Sequence, residues 1–181
     1  MNYKQQISRT FFLIFCLSVS WSQSKKAGPI IVGFGEVWSI ENPDYKTDTK
    51  SPLKVVFDIM NSPESPQELN KSIETAARFL NMHAQAGVAP ANLKAVLVVH
   101  NKASKDITTN TAYQNRYGIN NPNESLIKAL LDAEVDIIFC GQSSAARGIS
   151  KEDTIEGVQL GLSAMTALIQ LQNEGYKLIK F

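Results

Sequence analysis

Short β-branched runs, separated by capped amphipathic helices, recur along this chain, and that alternation limits what it can fold into more than any other feature. Residues 54–59 (Lys-Val-Val-Phe-Asp-Ile), 94–100 (Lys-Ala-Val-Leu-Val-Val-His) and 135–140 (Val-Asp-Ile-Ile-Phe-Cys) are too short and too apolar for surface helices. They read as strands buried on both faces, as in a parallel sheet. After the first run, Ser65, Pro66 and Glu68 supply a cap, a proline at the first helical position and a capping-box partner. Leu69, Ile73, Ala76, Ala77 and Leu80 then recur at helical spacing, which predicts a helix to Gln85 with a stop at Gly87. Asn121, Pro122 and Glu124 repeat the signal ahead of Leu126, Ile127, Leu130 and Leu131. Residues 158–162 predict a fourth strand, 163–173 a helix ended by Glu174-Gly175, and 176–180 a last strand. The polar stretch 101–120 predicts a short or broken helix plus loop, and 150–153 a capped turn. Strands joined by helices predict an α/β fold with a mostly parallel sheet of about five strands and right-handed crossovers.

The 181 residues suit one such domain, with two segments ahead of it. Residues 1–22 read as a signal peptide: Lys4 and Arg9 form a basic region, residues 11–19 an apolar stretch, and Ser20 and Ser22 flank Trp21 at a cleavage site. The apolar stretch is roughly half the ~20 residues that a spanning helix needs, so stable membrane insertion is not expected after cleavage. The protein is therefore expected in the periplasm or outside the cell. Cleavage turns a formal net charge of +1 into −1, and no dense basic stripe remains to suit a nucleic acid partner. Residues 23–52 read as an arm, with Ile30, Ile31, Val32, Phe34, Val37 and Trp38 broken by Gly33 and Gly35. Such a segment packs on the domain surface or on a neighbouring subunit, or remains a partly ordered linker. The domain proper starts at Leu53.

Cleavage also removes Cys16 and leaves Cys140 as a lone cysteine in an exported chain, where paired disulfides are the norm. An unpaired thiol there is either reactive, or an inert core residue behaving as a small hydrophobe. Position favours the first reading, because open α/β sheets bind ligands outside the carboxyl ends of their strands. That edge gathers Cys140, His100 and Asp58, each at or near the end of a predicted strand. Gly141, Gln142, Ser143 and Ser144 follow Cys140, so their backbone amides are placed to surround a thiolate or a bound anion. Arg147 is a source of positive charge, and His100 a base or ion-pair partner. The bland alternatives are a hydrogen-bonded histidine closing a strand for His100 and a surface or interface arginine for Arg147.

The stretch from Val135 to Ile149 resembles the DsrE/DsrF-like family of small sulfur-handling subunits, through Phe139-Cys140-Gly141-Gln142-Ser143-Ser144 and Arg147-Gly148-Ile149. Further matches are Val98-Val99-His100-Asn101-Lys102-Ala103, Tyr117 with Asn121-Pro122-Asn123, Leu162 to Ala167, and Gln172-Asn173-Glu174-Gly175-Tyr176. The resemblance implies a flavodoxin-like three-layer subunit that assembles into homo-oligomers, trimers or hexamers. It also implies a persulfide carried on the cysteine in the position of Cys140, exchanged with a sulfur donor or acceptor protein. Well-studied members of that kind are cytoplasmic, whereas this chain reads as exported.

No cofactor is expected. Gly33 and Gly35 lack the third glycine and following helix of a dinucleotide fingerprint, and two histidines with one mature cysteine are too few and too scattered for zinc. The expectation is an exported sulfur-handling protein, sulfurtransferase-like, with the persulfide on Cys140. The alternative is a non-catalytic oligomeric module that uses the same strand-end cleft for a small ligand or partner.

Overall fold

A computed structural model describes residues 24–180, so the signal-peptide reading of residues 1–22 lies outside the described residues. Five strands form one all-parallel sheet: β1 (Leu53–Ile59), β2 (Leu93–Val99), β3 (Asp136–Cys140), β4 (Gln159–Gly161) and β5 (Lys177–Ile179), in the order β4-β3-β2-β1-β5. The helices are α1 (Lys71–Gln85), α2 (Asn110–Tyr117), α3 (Glu124–Asp132), α4 (Gly141–Arg147) and α5 (Ala164–Asn173). The result is the flavodoxin-like α/β architecture that the alternation and the resemblance predict.

Strand alternation divides the core in two. Val55, Phe57 and Ile59 of β1, Leu97 and Val99 of β2 and Ile137 and Phe139 of β3 join α1 and α3 in the larger cluster. Val56, Val96, Val98 and Cys140 point the other way, onto Ala164, Ala167 and Leu171 of α5. Right-handed crossovers carry the chain one strand at a time from β1 to β4, and α5 returns it across the opposite face to β5. No helix of the described residues is long and apolar enough to cross a membrane.

Three local expectations shift. The first helix starts at Lys71 rather than at Pro66, because Asn70 is the working cap: its Oδ1 accepts from the Ser72 and Ile73 amides at 2.9 and 3.4 Å. Ser65 makes only an isolated turn, accepting from the Gln67 amide at 3.3 Å. Likewise α3 starts at Glu124, with Asn121 Oδ1 holding the Asn123 amide one turn earlier. The ambiguous stretch 101–120 resolves into a 3-10 helix, Asn101–Ile107, followed by α2.

The arm packs on α1 of its own chain. Asn81 of α1 is fully buried, and its Oδ1 accepts from Ile31 N at 2.8 Å while Nδ2 donates to the carbonyls of Ile31, Phe34 and Gly35. Gly35 fits only as glycine: its φ is +67°, and a Cβ there would lie 2.5 Å from the Ala77 carbonyl carbon.

A second buried polar joint ties together the loops above the α1–α3 face. Asp106, at 0% exposure, accepts from Asn70 Nδ2 at 2.7 Å, Ser62 Oγ at 3.0 Å and Lys105 Nζ at 3.0 Å. Asn121 and Asn123 extend the joint to the start of α3, Asn123 Oδ1 accepting from the Asn70 amide at 2.7 Å. Substituting Asp106→Ala strips the acceptor from four buried or half-buried donors, Asn70 Nδ2, Ser62 Oγ, Asn123 Nδ2 and the charged Lys105 Nζ. The expected loss is about 3 kcal/mol of unfolding free energy, read as a lower urea midpoint at unchanged slope.

Candidate functional site

Cys140 ends β3 and caps α4 without an intervening residue, a strand-to-helix corner made possible by Gly141. A Cβ on Gly141 would meet the Gly161 carbonyl oxygen at 2.7 Å and that of Leu162 at 3.2 Å. The missing side chain lets the end of β4, and the start of α5 behind it, close on the corner. Cys140 and Gly161 are register partners, and the connections that follow them part to opposite faces of the sheet. Open α/β sheets place their ligands at such a switch point.

Cys140 is 5% exposed. Burial works to raise its pKa, but the Ser143 and Ala164 amides, the Ser143 hydroxyl and the Gln142 amide outweigh it, so the net shift is downward. Donors therefore reach the sulfur from two helices, α4 and α5. The Ser143 hydroxyl is oriented for this work. Its oxygen accepts from the Asn101 amide at 2.9 Å, which leaves its own proton for the sulfur. Asn101 sits at φ +51°, a left-handed conformation that asparagine tolerates better than most residues.

The other two edge residues lie on the same face of the sheet, towards α5. Asp58 Oδ1 is 2.6 Å from His100 Nε2, and Asp58 Oδ2 accepts from Lys180 Nζ at 2.7 Å. A row of Lys180, Asp58, His100 and Cys140 thus runs across β5, β1, β2 and β3 along the carboxyl edge. For Asp58, burial raises the pKa, but the bonds from Lys180 and His100 and the charges on both lower it further, and the carboxyl lies below its ordinary value. The pair engages Nε2 of His100; no described residue hydrogen-bonds its Nδ1.

Other expected members take separate places. Arg147 stands at the far end of α4 from Cys140, about 10 Å along the axis at ~1.5 Å per residue, and its Nη2 donates to Asn101 Oδ1 at 2.5 Å. It touches the thiol's surroundings only through Asn101 and Ser143. Ser144 Oγ donates to the Ile149 carbonyl at 2.6 Å, closing the C-terminal end of α4, and the exposed Gln142 side chain reaches the Leu162 carbonyl at 3.4 Å. His83 spends Nδ1 on the Phe79 carbonyl at 2.8 Å within α1. Sequence reasoning missed Asn101, Lys180 and the Ala164 amide as contributors. An asparagine directly after a buried strand was a usable signal for the first, whereas the other two depend on strand order.

Among the described residues, no group of three His, Cys, Asp or Glu side chains converges as metal ligands would. A cleft of about 800 Å³ runs elsewhere, between α1 and the β1–β5 edge, lined by Phe79, Met82 and Ile179 among others. It lies on the face away from Cys140 and includes none of the edge residues.

The sequence profile of the DsrE/DsrF-like family matches residues 54–181. The chain belongs to that family. Among solved structures, the protein of unknown function MTH1491 from Methanobacterium thermoautotrophicum superposes with a TM-score of 0.53 at 19% identity, covering 71% of this chain and 99% of its own. The YchN protein of E. coli gives a TM-score of 0.53 at 21% identity, with the same 71% and 99% coverage. At those identities the likeness carries the fold. No curated protein matches the chain. The matched region holds all five strands and every member of the carboxyl-edge row, and leaves the arm outside the family unit.

Alkylation rate against pH should place the Cys140 midpoint below that of a free cysteine. Ser143→Ala, which keeps the amide and deletes the hydroxyl, should move that midpoint upward. An unmoved midpoint would mean that the hydroxyl does not serve the sulfur.

Proposed function

We propose that this protein is an exported sulfur carrier, with Cys140 holding a persulfide between a donor and an acceptor. Family membership supports sulfur relay in general. The observation that carries the specific reading is the thiol at the switch point, ringed by N–H and O–H donors that outweigh its burial. Thiolate is the nucleophilic form, and lowering the pKa increases its share at neutral pH. In the loading step the Cys140 thiolate attacks the outer sulfur of a donor persulfide, R–S–SH. A new S–S bond forms to Cys140 as the donor's S–S bond breaks. R–S⁻ departs with the electron pair, the proton stays on the transferred sulfur, and no net oxidation occurs. Unloading is the same exchange with an acceptor thiolate. The His100–Asp58 pair stands on the neighbouring strand to hold or deliver a proton at this edge.

Burial of the thiol favours a second reading, a non-catalytic module whose strand-end cleft holds a small ligand or partner segment. Intact mass after incubation with a sulfane-sulfur donor separates the two. A reductant-reversible gain of one sulfur atom, present in wild type and absent in Cys140→Ala, is expected. No gain on a reduced, alkylatable thiol sinks the relay and leaves the binding module.

Self-association belongs to the same proposal. Leu162, Met165 and Ile169 are 72%, 73% and 59% exposed at helical spacing beside β4, where Leu160 is 49% exposed. Such an apolar stripe suits a homo-oligomer contact, a trimer or hexamer. Light scattering should report an oligomer for wild type and a smaller species for Met165→Glu; a monomeric wild type removes the proposal.

A further inference from the structure

A second, basic cleft opens at the far end of α4 from Cys140. It has a volume of about 500 Å³, within the range of small-molecule sites, and is walled by the loop after β1, the 3-10 helix, α2 and the end of α4. Lys102, Lys105, Arg116 and Arg147 all line it, against Glu64 as the one acidic lining residue. None of this follows from bulk composition, since the whole chain carries a net charge of only +1.

The cations are held in place rather than splayed. Arg116 donates to the Arg147 carbonyl at 3.2 Å and to the Gly148 carbonyl, bracing α2 against the end of α4. Arg147 is fixed by Asn101. Lys105 lies beneath them, 13% exposed, bonded to Asp106 and Tyr113 Oη at 3.0 and 3.2 Å and facing the Tyr117 ring at 5.7 Å. Burial works to lower the pKa of this lysine, but the Asp106 charge and its hydrogen bonds outweigh that, and its pKa lies above the ordinary value. Lys102, Arg116 and Arg147 form no ion pair with any described carboxylate. Like charges gathered without counter-charge destabilise a fold, and a bound anion reverses that cost. Three of the four are fixed by bonds to the protein, so little ordering entropy remains to be lost on binding.

The geometry points to this cleft as a binding site for a small organic oxyanion, a phosphate or sulfate ester, with the charged group on Lys102, Arg147 and Arg116. The volume exceeds what a free phosphate fills, and Tyr117, 41% exposed, offers a ring wall for the organic part. The site is separate from the Cys140 corner and its occupancy does not depend on the sulfur reading.

The test uses the full mature chain at low ionic strength, titrated calorimetrically with inorganic phosphate, inorganic sulfate and phenyl phosphate. Saturable binding of phenyl phosphate with a Kd of about 1 mM or tighter is expected, weakening with added salt. Lys102 is exposed and its side chain hydrogen-bonds no described residue, so Lys102→Gln should fold normally and weaken binding about tenfold, equivalent to ~1.4 kcal/mol. Lys102→Gln with Arg147→Gln should abolish it, and Cys140→Ala should leave it intact. Phenyl phosphate binding more tightly than inorganic phosphate supports the organic ligand. Equal affinities overturn that part and reduce the site to one for free oxyanions. No saturable binding of any of the three, or binding indifferent to both variants, overturns the proposal.

Discussion

Burial of the central strands on both faces is the constraint on which the rest of the molecule depends. Val96, Leu97, Val98 and Val99 are each 1% exposed or less, so β2 needs a helical layer above and below. That requirement excludes a two-layer solution and demands a return crossover on the second face, which α5 supplies. Once α5 is there, strand alternation with its period of two settles where the edge side chains go. Asp58, His100 and Cys140 share a face because residues 56, 96 and 98 do, and that face is the one covered by α5. A one-residue slip in any of these strands would send its edge residue to the α1–α3 side, into the apolar company of Ile59, Val99 and Phe139. The site is thus a by-product of register, and register is enforced by the core.

Much of this was legible in the sequence. The three long strands, the two later short ones, α1, α3, α5 and the gathering of Asp58, His100 and Cys140 at one edge all follow from apolar runs and caps. The misses have physical causes. The Ser65-Pro66 signal satisfied every local rule for a helix start, but Asn70 has partners in Asn61, Asp106 and Asn123 that no local window contains. No local signal marks the short helix α4, because a glycine and two serines dominate its start, and the corner that begins it depends on the close approach of the β4 end to Gly141. Arg147 was paired with Cys140 by proximity in sequence; a seven-residue helix between them holds the two apart. The Lys180–Asp58 bond could not be read at all, since it requires β5 to lie beside β1.

The way the thiol is stabilised bears on what it can do. Its donors are neutral dipoles, amides and one hydroxyl, rather than a fixed cation. A lysine or arginine against the sulfur would favour the thiolate strongly and would equally hold any anionic leaving group beside it. Neutral donors from α4 and α5 favour the anion without fixing a partner, and they serve a persulfide anion as readily as a thiolate. Nucleophilicity falls as thiol pKa falls, while leaving-group ability rises. A relay sulfur must attack in one half of its cycle and give up its passenger in the other. Stabilisation by neutral donors that outweighs burial suits both halves better than a fixed cation would.

The same balance makes access the governing variable. Cys140 as a whole residue is 5% exposed, and the groups that surround its sulfur come from α4 and α5. Both helices are anchored near their starts, α4 by the Ser143–Asn101 bond and α5 by its Ser163 cap to the Thr166 amide at 3.0 Å. What remains adjustable is the exposed edge: the Gln142 side chain, bonded only at 3.4 Å to the Leu162 carbonyl, and Leu162 itself, 72% exposed. Gln142 follows the Cys140 corner by one residue, and Leu162 lies two residues before the Ala164 amide that reaches the sulfur. Leu162 is also the first residue of the exposed stripe that continues through Met165 and Ile169, so the stripe begins beside the corner that holds Cys140. The exposed apolar surface and the buried thiol therefore meet at one residue, because the Leu162 carbonyl closes on the Gly141 corner while its side chain faces outward.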